Sequence, residues 1–227
     1  METIRAWLSD CTGNHLECQS DQRCSVLPTR LIDVGVAPDD FVTLRYGGGL
    51  PWHTSYATLS HCWGKKQFFT LRTSNYNAVF DGIEISALPA NFRDAIWVAR
   101  QLGLSYLWID SLCIVQDDTE DWMRESIRMA EVYTHAAFNI AATSSADVDG
   151  GLFSKRPRSR LSECYVNASW SDRSPTPYRV RAKSLWETKI NSSPLMQRAW
   201  VLQESLLAQR NIYFAQGEVF WECQSKL

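Results

Sequence analysis

From residue 89 to residue 143 the apolar pattern switches back and forth between a helical and a strand period. This alternation constrains the fold more than any other feature. "LPANFRDAIWVARQLG" carries Phe92, Ala95, Ile96, Ala99 and Leu102 at helical spacing. Pro89 suits a first helical residue and Gly103 a C-cap. "LSYLWIDSLCIV" is a short apolar run that predicts a buried strand ending near Asp110. Asp117, Asp118 or Thr119 is placed to cap the next helix, "EDWMRESIRMAEVYTHA". Acidic residues in its first turn favour the helix dipole. Its expected buried stripe is Trp122, Ile127, Ala130, Tyr133 and Ala137. "FNIAATSS" then reads as another buried strand.

The flanks extend the pattern. "FVTLRY" (41–46) and "SYATLSHCWG" (55–64) alternate and are β-rich, and "GGGLPWHT" between them has turn chemistry. They are expected to form an antiparallel pair. Residues 154–194 are rich in Ser, Pro and Arg and read as a surface insertion, a hairpin built on "CYVNASW" and "YRVRAKSLW". A helix at "RAWVLQESL" follows, then "NIYFAQGEVFWEC", two strands turning at Gln216-Gly217. The expectation is one α/β domain over 1–227, with an N-terminal extension (1–54), a core (55–153 and 195–215) and the insertion. Its sheet is expected to be mainly parallel with helices on both faces, plus antiparallel N-terminal strands. Ligands of such sheets sit beyond the carboxyl ends of the strands. That selects Ser60 to Gly64, Asp110 to Cys113, and the loop after Thr143.

A net charge of -2 leaves no strong field for nucleic acid or an anionic membrane. No run approaches the roughly 18 apolar residues of a membrane span, and "METIRAWLSDC" lacks the apolar region of a signal peptide. Seven cysteines, an odd number, then fit a reduced cytoplasmic protein with free thiols. On that reading the sequons at Asn167 and Asn191 are chance matches. Cys11, His15, Cys18 and Cys24 are types that zinc accepts. Their spacing, C-x3-H-x2-C-x5-C, is no familiar finger, so packed thiols are expected and no metal is assigned. "SKRPRSR" at 154–160 reads as a solvated loop. There is no P-loop, no G-x-G-x-x-G and no H-E-x-x-H.

One helix is awkward. At about 100° per residue, Leu195, Ala199, Leu202 and Leu206 form the expected core arc of "RAWVLQESL", with Trp200 at its edge. Glu204 falls at the border of that apolar face. A solvated charge, or a salt bridge to Arg198 or Arg210, explains it without function. A carboxylate serving a site explains it equally well.

Three blocks resemble the fungal heterokaryon-incompatibility (HET) domain: "YATLSHCWG" (56–64), "LWIDSLCIVQDDTEDWMRESIRMAEVY" (107–133) and "RAWVLQESLLAQRNIYF" (198–214). Their order and spacing match as well. The family often has a tyrosine where His61 stands. The resemblance implies a trigger of programmed cell death when genetically unlike fungal cells fuse. It also implies distant similarity to Toll/interleukin-1 receptor (TIR) domains, which have a flavodoxin-like fold. Enzymatic members of that second family carry a Trp–Cys–x–x–Glu pattern whose glutamate is needed to hydrolyse NAD. Here Trp200 and Glu204 stand at that spacing, with Val201 in place of the cysteine.

The implied chemistry is cleavage of the nicotinamide–ribose bond of NAD through an oxocarbenium-like state. Glu204 is the candidate catalytic carboxylate and stabilises the developing positive charge. Ser60, His61, Trp63, Asp110 and Trp200 are candidate substrate-binding residues. NAD is the suspected substrate, no cofactor is implied, and self-association is expected for activity. A signalling module without enzyme activity, acting through self-association and partner recruitment, stands as the alternative. A thiol nucleophile, Cys62 or Cys113 activated by His61, is a weaker rival, because no known cysteine-hydrolase motif surrounds either residue.

Overall fold

The computed structural model describes residues 1–18, 27–155, 164–168, 176–180 and 185–225. Helix α1 (Glu2–Asn14) leads through a short turn to strands β1 (Arg30–Asp33) and β2 (Phe41–Tyr46). Then come β3 (Ala57–Ser60), α2 (Tyr76–Asp81), β4 (Ile83–Glu84), α3 (Ala90–Gln101) and β5 (Tyr106–Trp108). The chain continues with α4 (Asp110–Cys113), α5 (Thr119–Thr134), β6 (Phe138–Ala141), β7 (Cys164–Ala168) and β8 (Thr176–Val180). It ends with α6 (Ala199–Leu207), β9 (Arg210–Ala215) and β10 (Glu218–Cys223).

Eight strands form one sheet in the order β10-β9-β6-β3-β5-β1-β2-β4. The neighbours β5/β3, β3/β6 and β6/β9 are parallel. The other four neighbouring pairs are antiparallel, so the sheet is partly rather than mainly parallel. The cause lies at the flanks. The N-terminal strands join the sheet edge beside β5, and the β9–β10 hairpin closes the other edge. The hairpin turns where expected, with Ala215 opposite Glu218 and Gly217 at φ +78°. The expected pairing of 41–46 with 55–64 does not occur. Instead β2 pairs with β1 and β4, while β3 is buried at all four positions between β5 and β6. A strand covered on both faces suits the centre of a sheet.

Right-handed crossovers set the layers. The path β3–α3–β5 moves one way along the sheet, and β5–α5–β6 then moves the other way across β3. Two right-handed crossovers of opposite direction place α3 and α5 on opposite faces. The path β6–α6–β9 continues in the direction of α5, and α6 packs beside α5 accordingly. Phe92, Ala95, Ile96 and Ala99 of α3 are buried as its periodicity requires. Pro89 is the N-cap rather than the first helical residue, and Gly103 ends the helix at φ +81°. Each fully buried Leu, Ile or Phe stabilises by about 1.5–3 kcal/mol.

The predicted stripe of α5 is displaced. Trp122 and Ile127 are exposed, while Asp121, Glu125, Val132 and Tyr133 are buried. The first half of the buried face is ionic because Arg30 of β1 lies beneath it. Arg30 Nη2 reaches Asp121 Oδ2 at 2.5 Å and Glu125 Oε1 at 3.9 Å. Val115 N donates to the same Asp121 oxygen at 2.8 Å. Burial alone would raise the Asp121 carboxyl; hydrogen bonds from Arg30 and Val115, and the charge of Arg30, bring it below its usual range. Asp118 caps α5, accepting from Glu120 N and Asp121 N. Asp117 instead binds Thr73 N and Oγ1 at 2.8 and 2.9 Å.

Within the insertion, β7 and β8 form the expected antiparallel hairpin, with the second strand starting at Thr176. Residues 156–160 of the basic run lie outside the described residues, as does Cys24.

Candidate functional site

The carboxyl ends of β3 and β5 meet the first turns of α4, α5 and α6. The chain moves from β3 to β5 on one side and returns to β6 on the other, which makes this the topological switch point of the parallel strands. A cleft of about 120 Å³ opens there. Trp63, Trp122 and Trp200 wall it, and Asp110, Arg198 and Glu204 supply its charged groups. Its volume is below the roughly 300–1,000 Å³ of whole-ligand pockets.

Glu204 sits inward. It is 6% exposed, whereas Trp200, Leu202 and Leu206 are 60%, 61% and 73% exposed. The core arc expected for this helix is therefore wrong. Leu195 belongs to a separate turn, and Arg198 is extended between that turn and α6. This break resets the helical phase, so α6 buries Val201 and Glu204. Burial pushes the Glu204 carboxyl above its ordinary range. The nearby hydroxyls of Ser60 and Tyr133 and the charge of Arg198 pull it down, and Asp110 pushes it further up. Even so, Oε2 has no hydrogen-bond partner among the described residues. A buried acceptor without a partner costs about 1–3 kcal/mol, more when charged.

A chain of buried side-chain bonds links β3 to this helix. Ser60 Oγ donates to Asn139 Oδ1 at 3.2 Å, and Asn139 Nδ2 donates to Asn211 Oδ1 at 3.1 Å. Asn211 Nδ2 then donates to Ser205 O on α6 at 2.9 Å.

Asp110 opens α4 and accepts from Ser111 N at 2.7 Å and from Trp63 Nε1 at 2.9 Å. His61 is buried behind the cleft, with Nδ1 3.9 Å from Asp110 Oδ1. Its ring meets Phe92 edge-on at 5.0 Å. Burial lowers the His61 pKa, outweighing Asp110, so the imidazole is held neutral. Arg198 donates to the His61 carbonyl, tying the start of α6 to the loop after β3. Gly64 ends that loop at φ +72°, and a Cβ there would stand 2.5 Å from Asp147 Cβ. Both the turn and the close approach demand glycine.

Glu204, Asp110, Trp63 and Trp200 thus share one cleft, while Ser60 and His61 support it from beneath. Tyr133 and Arg198 were missed as site residues. Tyr133 was read as part of an apolar stripe, and Arg198 only as a salt-bridge partner. Their presence in the same blocks as Asp110 and Glu204 was the available signal. The thiol alternative loses its chemistry. Burial pushes Cys113 up to about 12 and also raises Cys62, which disfavours the nucleophilic thiolate.

A larger hollow of about 340 Å³ lies between α1 and the β9–β10 hairpin. Its lining contains one carboxyl, Glu218, and none of the predicted site residues. No described helix is long and apolar enough to cross a membrane.

The model of the heterokaryon incompatibility protein (HET) family matches residues 56–204. No curated protein and no solved structure matches the chain. The matched stretch runs from the residue before β3 to the buried carboxylate of α6 and spans most of the 227 residues. It holds every candidate site residue, and on that match the chain belongs to the heterokaryon incompatibility family.

Proposed function

We propose that this HET protein acts in heterokaryon incompatibility and cell death by cleaving NAD at the Glu204 cleft, in the cytoplasm. The observation that carries the reading is Glu204 Oε2, without a hydrogen-bond partner among the described residues and buried in a tryptophan-lined cleft at the switch point of the sheet. Such a group favours a ligand that is planar, cationic and rich in hydroxyl donors. The nicotinamide ring of NAD is planar and positively charged, and its ribose supplies the donors. In the reaction the C1′–N bond breaks and its electron pair leaves with neutral nicotinamide. Water adds to C1′ and loses a proton, giving ADP-ribose. Glu204 stabilises the positive charge that develops on the ribose. A ligand cation also favours the ionised carboxylate over the protonated form that burial promotes.

Two further features support a TIR-like, flavodoxin-like reading. The parallel strands lie in the order second, first, third, fourth along the sheet. Trp200 and Glu204 place an aromatic wall and a carboxylate on one helix at the spacing of the NAD-cleaving pattern. The cleft is smaller than a whole-ligand pocket, so part of the dinucleotide lies outside it, where a second copy would cover it.

The test is direct. The purified chain, tethered at high local concentration, is incubated with NAD, and nicotinamide and ADP-ribose are followed by chromatography. Glu204→Gln is expected to lower release by about 10²–10³-fold, the scale of one lost charge-stabilising group. Equal release by this variant, or none from the native chain, sinks the reading.

A second reading has its own observation. Trp122, Met123 and Ile127 of α5 and Trp200, Leu202 and Leu206 of α6 are all exposed. Solvent-facing apolar groups on two adjacent helices support a signalling module that self-associates without chemistry. Cell-death activity that survives Glu204→Gln favours it.

A further inference from the structure

The two ends of the described chain meet around sulfur. Cys11 projects from α1, His15 is its C-cap residue, Cys18 lies in the following turn, and Cys223 ends β10. One ligand atom from each lies within 4.8 Å of all the others. His15 Nδ1 is 3.4 Å from Cys223 Sγ and 4.0 Å from Cys18 Sγ. In a tetrahedral site with Zn–S near 2.3 Å and Zn–N near 2.0–2.1 Å, neighbouring ligand atoms stand about 3.5–3.8 Å apart. The four residues therefore surround a point at nearly the right distance for zinc. All four are buried, and Cys11, Cys18 and Cys223 are free thiols.

We propose that Cys11, His15, Cys18 and Cys223 bind a structural Zn²⁺ that staples α1 to the last strand of the sheet. The surroundings suit the charge. Three thiolates and one Zn²⁺ leave a net charge of -1, and the buried guanidinium of Arg210 stands against it. Its Nε is 3.2 Å from Cys11 Sγ, and its Nη2 donates to Cys18 O at 2.6 Å. The outer nitrogen of His15, Nε2, faces Asp10 Oδ2 at 3.6 Å. This is the carboxylate–histidine order that orients zinc ligands. Sulfur and imidazole donors select zinc over magnesium or calcium, which need oxygen. With all four positions filled by protein, the site is closed and structural. Binding displaces the three thiol protons to solvent.

The ligands come from both chain ends, which explains why C-x3-H-x2-C resembled no finger. The fourth ligand lies more than two hundred residues away, beyond any local motif. Cys24 is not needed.

The experiment measures metal in the full chain. Protein purified without chelator and incubated with zinc salt is desalted and assayed by plasma mass spectrometry. About one zinc per chain is expected, the stoichiometry of a four-ligand site. Cobalt substitution is expected to give thiolate-to-metal charge-transfer and intense tetrahedral bands. Cys18→Ser and Cys223→Ser should lose the metal, and Cys62→Ser should keep it. Because a variant that loses zinc can also unfold, His15→Cys is included. It offers four sulfurs and should retain zinc and the cobalt spectrum. Folded native chain without zinc, full zinc in Cys223→Ser, or a disulfide among these cysteines in the native chain overturns the proposal.

Discussion

Trp63 Nε1 donates a 2.9 Å hydrogen bond to Asp110 Oδ2, joining the loop after β3 to the first turn of α4 at the mouth of the Glu204 cleft. The indole thus serves as wall and as strut. Trp63→Phe keeps a wall but removes the donor. Asp110 is partly exposed, so water replaces much of the lost bond. The expected cost is about 1 kcal/mol, or about 2–4 °C in Tm for a chain of this size. A thermal melt beside an NAD-cleavage assay checks whether the loss in rate exceeds the loss in stability.

Glu204 makes stability depend on pH in a stated direction. Its folded pKa lies above the unfolded value, so the folded state binds the proton more tightly. The resulting stabilisation is whole below the ordinary carboxylate value and declines as pH rises through the elevated folded value. Glu204→Gln stays neutral throughout. Urea unfolding from about pH 4 to about pH 8 should show the variant gaining on the native chain as pH rises. A difference that stays constant with pH rejects this account.

Arg30 holds the ionic half of the α5 face. Arg30→Ala leaves the half-exposed Arg124 as the remaining cation beside the buried Asp121 and Glu125 and should cost up to about 3–5 kcal/mol, the scale of a broken buried pair. The pH sign is opposite to that of Glu204. Asp121 is depressed, so its contribution is present above the ordinary carboxylate value and is lost as pH falls through the folded one. Denaturant midpoints are expected to show the native chain losing its advantage over Arg30→Ala in acid.

Gly64→Ala tests the loop that carries Trp63. A positive φ costs a residue with a side chain about 1–2 kcal/mol, and the new methyl also meets Asp147. A Tm fall of at least about 2–4 °C is expected, with weaker cleft function. An unchanged Tm contradicts the close approach.

The outward face of α6 is expected to serve association rather than folding. Leu202→Glu with Leu206→Glu should change stability by less than about 0.5 kcal/mol, as exposed substitutions do. It should abolish concentration-dependent assembly measured by sedimentation. Assembly that persists in the double variant moves the contact elsewhere.

The α3 helix, the β9–β10 hairpin and the Asp118 cap were legible because each rests on local chemistry: apolar period, turn glycine and capping carboxylate. The switch-point residues Ser60 and Asp110 were legible because strand ends in a β–α alternation collect ligands. The buried faces of α5 and α6 were not. Both bury carboxylates, and periodicity ranks a carboxylate outward unless its partner is known. Arg30, which reverses that ranking for α5, lies some ninety residues earlier. The pairing of β2 was misread for a related reason, since nearness along the chain favoured β3 while β1 and β4 offered the free edges.

By itself the sequence determined the family, the alternating α/β order and the set of blocks that build the cleft, because those follow from local periodicity and motif spacing. Only the tertiary structure decided that Glu204 points inward, with an oxygen that has no partner among the described residues. Only it brought Cys223 to Cys11, His15 and Cys18. Both results depend on groups distant in sequence meeting out of water, where a charge without a partner is costly and a cluster of thiols can hold a metal.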